Sequence, residues 1–182
     1  MSSFIIIQHV ELGANQADIV FSNIPQIYTD LMIVYSLRTT LGQGLQFDDM
    51  SMRINGDTSS SYTNRTLRAR EGAVTAISGT GSRLDIYEAC ASAAPASSFG
   101  SGQIYIPSYT LSGNKRVSSM GYSIANNATL QGGLVSGLWT GNAAVTSISL
   151  FSANGQNLLQ FSSATLYGVL AGNSGGVTIT QL

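Results

Sequence analysis

Roughly every ten residues this chain repeats one local signal: a short run alternating apolar and polar side chains, closed by a cluster of Gly, Ser or Asn. That spacing excludes most helical folds. Glu and Lys are scarce, and Gly, Ser, Thr and β-branched residues interrupt nearly every window long enough for a helix. Strands are expected at FIIIQHV (4–10), at ADIVFSNI (17–24) after a Gly13-Ala14-Asn15 turn, and at TDLMIVYSLRTT (29–40) beyond Pro25. In the last of these, Leu31, Ile33, Tyr35 and Leu37 share one face. Met32 and Val34 make the other face apolar too, which predicts a central strand covered on both sides.

FDDMSMRI (47–54) alternates Met50, Met52 and Ile54 with Asp49, Ser51 and Arg53. The following Asn55-Gly56 is a strong hairpin signal, predicting a type I′ turn and a return strand from Tyr62 to Leu67. Further strands are expected at 84–90, 102–110, 115–124, 134–139, 145–152 and 164–170. Turns are expected at 78–82, 112–114, 152–157 and 172–176. No repeat period or linker-like shift in composition divides residues 1–182. The expectation is an all-β, single-domain antiparallel β-sandwich, with 1–16 as an N-terminal arm or edge strand and 91–102 as a long surface loop.

Charge narrows the function. Only 9% of residues are charged, the net charge is −1 and Lys115 is the single lysine. Phosphate binding by counterion release needs a basic face, so nucleic acid is not an expected partner. No stretch approaches the roughly 20 apolar residues of a membrane helix. The N-terminus lacks the basic and apolar regions of a secretory leader, so synthesis in a cytosol with no membrane association is expected. Cys90 is the only cysteine, which precludes an intrachain disulfide and reads as a small buried hydrophobe.

Chemistry-bearing clusters are sparse. His9 is the only histidine, so a zinc site of the usual ligand set cannot form, and a nucleophile–base pair would have to join His9 to Ser or to Cys90. Asp85 and Glu88 fall on opposite faces of one strand, which does not suit paired-carboxylate hydrolysis. Asp48, Asp49, Asn55 and Asp57 form the one dense acidic and amide cluster, and Asp49 and Asp57 could meet across the hairpin. It lacks the calcium-loop order, however, and Asn55-Gly56 reads as turn chemistry. The two glycosylation sequons, Asn64-Arg65-Thr66 and Asn127-Ala128-Thr129, read as chance matches without a leader. No enzyme, cofactor or metal is expected.

Two surfaces remain. Arg53, Arg65, Arg68 and Arg70 would form a basic strip, paired either with Asp48, Asp49 and Glu71 or with acids on a neighbouring chain. Tyr105, Tyr109 and Trp139 are candidates for stacking on sugars, although a lone Trp in a β-domain is more often core.

Three segments carry a resemblance: FSNIPQIYTDLMIVYSLRTT, MRINGDTSSSYTNRTL and AAVTSISLFSANGQNLLQFSSATLYGVL. They resemble a diffuse group of small structural proteins of tailed bacteriophages. Phe21, Asn23, Ile24, Pro25, Tyr28, Asp30 and Leu31 match its opening element, and Arg53, Asn55, Gly56 and Asp57 its hairpin. Thr165, Leu166, Tyr167 and Gly168 match its closing strand, with Val169 in the last place. The resemblance implies a jelly-roll-like sandwich, often a homotrimer, displayed on a virion as a head decoration protein or a fibre or tail module. A fibre would normally add a long attachment region or coiled coil, which favours a capsid cement protein on the head exterior, bound to the major capsid protein. On that expectation Phe4, Ile5, Ile6, Ile7 and the four arginines are interface candidates, and the GVTITQL end is a candidate for strand addition. The alternative is a fibre or tail-tip module that binds host glycans through Tyr105, Tyr109 or Trp139. A glycan depolymerase is a third and weaker option.

Overall fold

A computed structural model describes residues 3–42, 44–70, 72–124 and 130–170. Glu71, the 172–176 turn, the GVTITQL end and the Asn127 sequon lie outside these residues. The first seven strands are β1 (Ser3–Glu11), β2 (Asp18–Phe21), β3 (Asp30–Leu37), β4 (Phe47–Asp48), β5 (Met50–Ile54), β6 (Tyr62–Arg70) and β7 (Ala73–Gly81). The rest are β8 (Leu84–Asp85), β9 (Ala89–Cys90), β10 (Gly100–Ile106), β11 (Lys115–Ile124), β12 (Leu130–Trp139), β13 (Ile148–Ser152) and β14 (Ser163–Leu170).

The larger sheet runs β1-β14-β3-β10-β11-β12-β6-β7, antiparallel throughout, and the smaller runs β2-β13-β5-β8. β4 and β9 form a short rim pair. Without β6, β7, β11 and β12, the two sheets are β1-β14-β3-β10 and β2-β13-β5-β8. The chain alternates between them in the nested order of a jelly roll. The hairpins β6–β7 and β11–β12 are insertions that widen one sheet to eight strands.

The core follows the alternation. Leu31, Ile33, Tyr35 and Leu37 of β3, with Ile104, Ile106 and Leu166, meet Met50, Met52, Ile54, Ile148 and Leu150 of the smaller sheet. Each such side chain, fully buried, contributes about 1.5–3 kcal/mol. Beyond the smaller sheet, the inserted strands are covered by tyrosines lying on glycines. Gly102, Gly121 and Gly133 are register partners on β10, β11 and β12. A Cβ at Gly133 would lie 1.9 Å from the Tyr87 ring, and one at Gly102 2.3 Å from the Tyr35 ring.

Several expectations change. Asn55 and Gly56 have the positive φ of a type I′ turn, 53° and 65°. The strands they join do not pair: β5 lies between β13 and β8, whereas β6 lies between β12 and β7. The turn therefore carries the chain from one sheet to the other. Asn55 holds it there, donating from Nδ2 to Ala144 O and accepting at Oδ1 from the Thr146 and Ser147 N–H groups. β3 is central, but Val34 is 42% exposed, so it is covered on one face only.

The 84–90 segment is two short strands, β8 and β9, and 47–54 breaks at Asp49. The expected turn at 78–82 is mostly strand, because residues 78–81 close β7, a strand that the small, Gly-rich AVTAISGTG does not announce. β7 forms through nine register pairs with β6, from Tyr62↔Gly81 to Arg70↔Ala73. Residues 1–16 include an edge strand, β1.

The 91–102 segment is not a free surface loop. Ala91 and Ala94 are buried, and β10 begins at Gly100. The buried Arg38 guanidinium donates to the carbonyls of Ser92, Ala94, Pro95 and Ser98, cross-linking the loop from beneath. Arg is suited to this because its planar fork presents five donors at fixed angles.

Candidate interaction surface

Every strand of the larger sheet places apolar side chains on the face turned away from the smaller sheet. One level across it runs His9, Thr165, Val34, Gln103, Met120, Leu134, Leu67 and Ala76. The next runs Ile6, Tyr167, Met32, Tyr105, Ser118, Ser136, Arg65 and Ser78. Phe4 joins this face through an edge-on contact with the Tyr167 ring. Val34, Leu67, Val74, Tyr122 and Leu134 are all exposed. Between β10 and β7 the face hollows into a trough of about 490 Å³, floored by Met120 and Leu134 and flanked by Tyr105 and Arg65. An apolar trough ringed by exposed apolar side chains is the kind of surface that marks an interaction site.

The polar groups of the trough are few and placed. Gln103 Nε2 donates to Met120 Sδ. Tyr105 donates its hydroxyl to Asp30 at 2.6 Å, and Asp30 also accepts the Ser108 N–H at 2.8 Å. That bond to a carboxylate, with burial and the Asp30 charge, pushes the Tyr105 phenol up to about 12.

The expected basic strip is divided among four environments. Arg65 is on the outer face. Arg53 lies on the smaller sheet, 4.5 Å over the Phe151 ring, and Arg70 stacks over Phe47. Arg68 points inward and bridges Asp49 at 2.7 Å and Glu88 at 3.2 Å. Burial raises the Glu88 carboxyl above its usual range, and the Arg68 charge only partly opposes this. The strip fails because β5 and β6 belong to different sheets.

The aromatic candidates separate as well. Trp139 is 3% exposed and Tyr109 is fully buried, its hydroxyl donating to Pro25 O. Only Tyr105 remains at the surface. Among the hydrophobic N-terminal candidates, Phe4 and Ile6 join the outer face by alternation and the Tyr167 contact. Ile7 packs partly against the core, and Ile5 is exposed opposite Gly168.

The acidic and amide cluster is spent on structure. Asp57 accepts from the Ser59 N–H at 2.8 Å, the Ser61 hydroxyl and the Trp139 indole N–H at 2.7 Å. Hydrogen bonds from Ser59, Ser61 and Trp139 hold its carboxyl well below the usual range. Asp49 faces Arg68 rather than Asp57. His9 is exposed beside Thr165 Oγ1, while Cys90 is buried on β9. Among the described residues, no three His, Cys, Asp or Glu side chains are grouped to hold a metal.

Sequence reasoning missed Leu67, Met120 and Leu134 as surface residues. The one available signal was the second apolar face of β3, Met32 and Val34. Comparison with family models, curated proteins and solved structures found no match for this chain.

Proposed function

We propose that this chain is a non-enzymatic virion structural protein, most simply a capsid decoration protein of a tailed bacteriophage. On this reading homotrimers sit on the exterior of the head, bind the major capsid protein and tie neighbouring capsomers together. The work is done by buried area, about 1,200–2,000 Å² for an interface of ordinary size.

The observation that carries the reading is the apolar outer face, to which all eight strands of the larger sheet contribute. A surface of that kind does its work when covered by protein. The resemblance of three segments to phage structural proteins supports a place on the virion, and the jelly-roll strand order is the fold that this resemblance implies. The glycan-binding alternative has less support, because Tyr109 and Trp139 are interior and the hydroxyl of Tyr105 is already engaged by Asp30.

The test is rebinding to phage heads stripped of the protein. Saturation in a fixed ratio to the major capsid protein, with a rise in head melting temperature, is the expected result. Absence of head binding, together with adsorption to host cells that free glycans abolish, would overturn it.

A further inference from the structure

The two sides of the apolar face carry opposite charges that have no ion-pair partner among the described residues. On the β6 side, Arg65 donates only to the backbone carbonyl of Asn64, and no acid pairs with it among the described residues. On the β3–β10 side, the Asp30 carboxylate accepts from Tyr105 and Ser108 and meets no cation among the described residues. Tyr105 and Arg65 lie at one level across the strands, with Ser118 and Ser136 between them. Above that level run Met120, Leu134 and Leu67.

Rotation about an axis parallel to the strands preserves height along them. It sets the Arg65 side of one face against the Asp30 side of the next copy. We propose that this face is covered by further copies of the same chain around such an axis. Arg65 of one copy pairs with Asp30 of the next, along a seam of Met120, Leu134 and Leu67.

Three features favour a second copy over a foreign partner. The face carries both members of a charge pair, Arg65 level with Tyr105 and Asp30 two residues further along β3 but bonded to the Tyr105 hydroxyl, so it is complementary to itself. Met120 and Leu134 give its trough an apolar floor at the middle of the sheet, as in the core of a subunit interface. Its extent also suffices. Eight strands about 4.8 Å apart and at least 7 residues long make a face of roughly 34 by 24 Å, near the ~800 Å² per partner of a standard interface. The inference deepens the reading that the chain works through buried area, but does not depend on what the assembly binds.

The experiment is sedimentation of the full chain at micromolar concentration, for wild type, Leu134→Arg, Met120→Glu, Arg65→Asp and the reversed pair Arg65→Asp/Asp30→Arg. Wild type is expected as a trimer. Leu134→Arg and Met120→Glu should be monomers with unchanged far-ultraviolet circular dichroism. Arg65→Asp should weaken association roughly tenfold or more, and the reversed pair should recover most of that loss. Asp30 also holds Tyr105 and Ser108, so if its reversal impairs folding, the Leu134 and Met120 variants decide. A dimer broken by the same variants would keep this face as the interface. A wild-type monomer, or a Leu134→Arg assembly as tight as wild type, overturns the inference. Head rebinding separates the two proposals. Trimers that ignore heads sink the decoration reading alone, and monomers that bind heads sink this inference and leave head decoration standing without the trimer.

Discussion

The two faces of the eight-stranded sheet are made by the same strands, alternate residue by alternate residue, yet they obey different rules. The inner face is closed: Tyr35 and Tyr87 lie on Gly102, Gly121 and Gly133 with no room for a methyl group. The outer face mixes apolar with polar residues and is open, with Val34, Leu67 and Leu134 in solvent. Hydrophobic patterning therefore marks where a strand is stabilised by cover, not whether its own chain supplies that cover.

Substitutions can break this contrast, beginning with the inner face. Trp139→Ala should cost about 3–5 kcal/mol by chemical denaturation, because it empties a core site and releases Asp57. Gly133→Ala should cost about 1–3 kcal/mol, since the new methyl meets the Tyr87 ring. The melting temperature would fall accordingly. If either change is tolerated like a surface substitution, the inner face is not closed.

Arg38→Met would strand the carbonyls beneath the 91–102 loop. A loss of about 2 kcal/mol is expected, with faster amide exchange confined to that loop.

Asp57 adds a pH dependence. Its folded pKa lies below the unfolded value of 3.8, so its stabilisation is complete above that value. It is lost as pH falls through the folded pKa. Asp57→Asn should lose about 1.5 kcal/mol at neutral pH, the low end for a charged hydrogen bond because the site is partly exposed. Its unfolding curves should then depend less on acid than those of wild type below pH 3.8.

The smallest effect on folding belongs to the outer face. Leu134→Arg should change the stability of the monomer by no more than about 0.5 kcal/mol. A large loss there would mean that the outer face is a core after all.

Most strands, the absence of helices among the described residues and the sandwich were legible because they depend on period-two alternation and turn residues, which are local. The positive-φ turn at Asn55-Gly56 was legible for the same reason. Its partner strands were not. The hairpin expectation treated β5 and β6 as neighbours, whereas hydrogen bonds from Asn55 to residues 144–147 direct the chain across the sandwich. β7 was invisible because pairing with β6, not its own composition, makes it a strand. The four arginines could be seen to be unusual, but their separation into four environments follows from that same sheet crossing.

Local pattern alone thus accounts for most of the extended segments, for the Asn55-Gly56 turn and for the alternation of apolar residues along strands such as β3 and β5. Those properties arise from backbone sterics and side-chain hydrophobicity within a few residues. Which strands are neighbours, the burial of Tyr109 and the open outer face of the larger sheet follow instead from how the sheets assemble. Those outcomes depend on pairings between residues far apart in the chain, such as Ser3 with Leu170, whose partners no local pattern specifies.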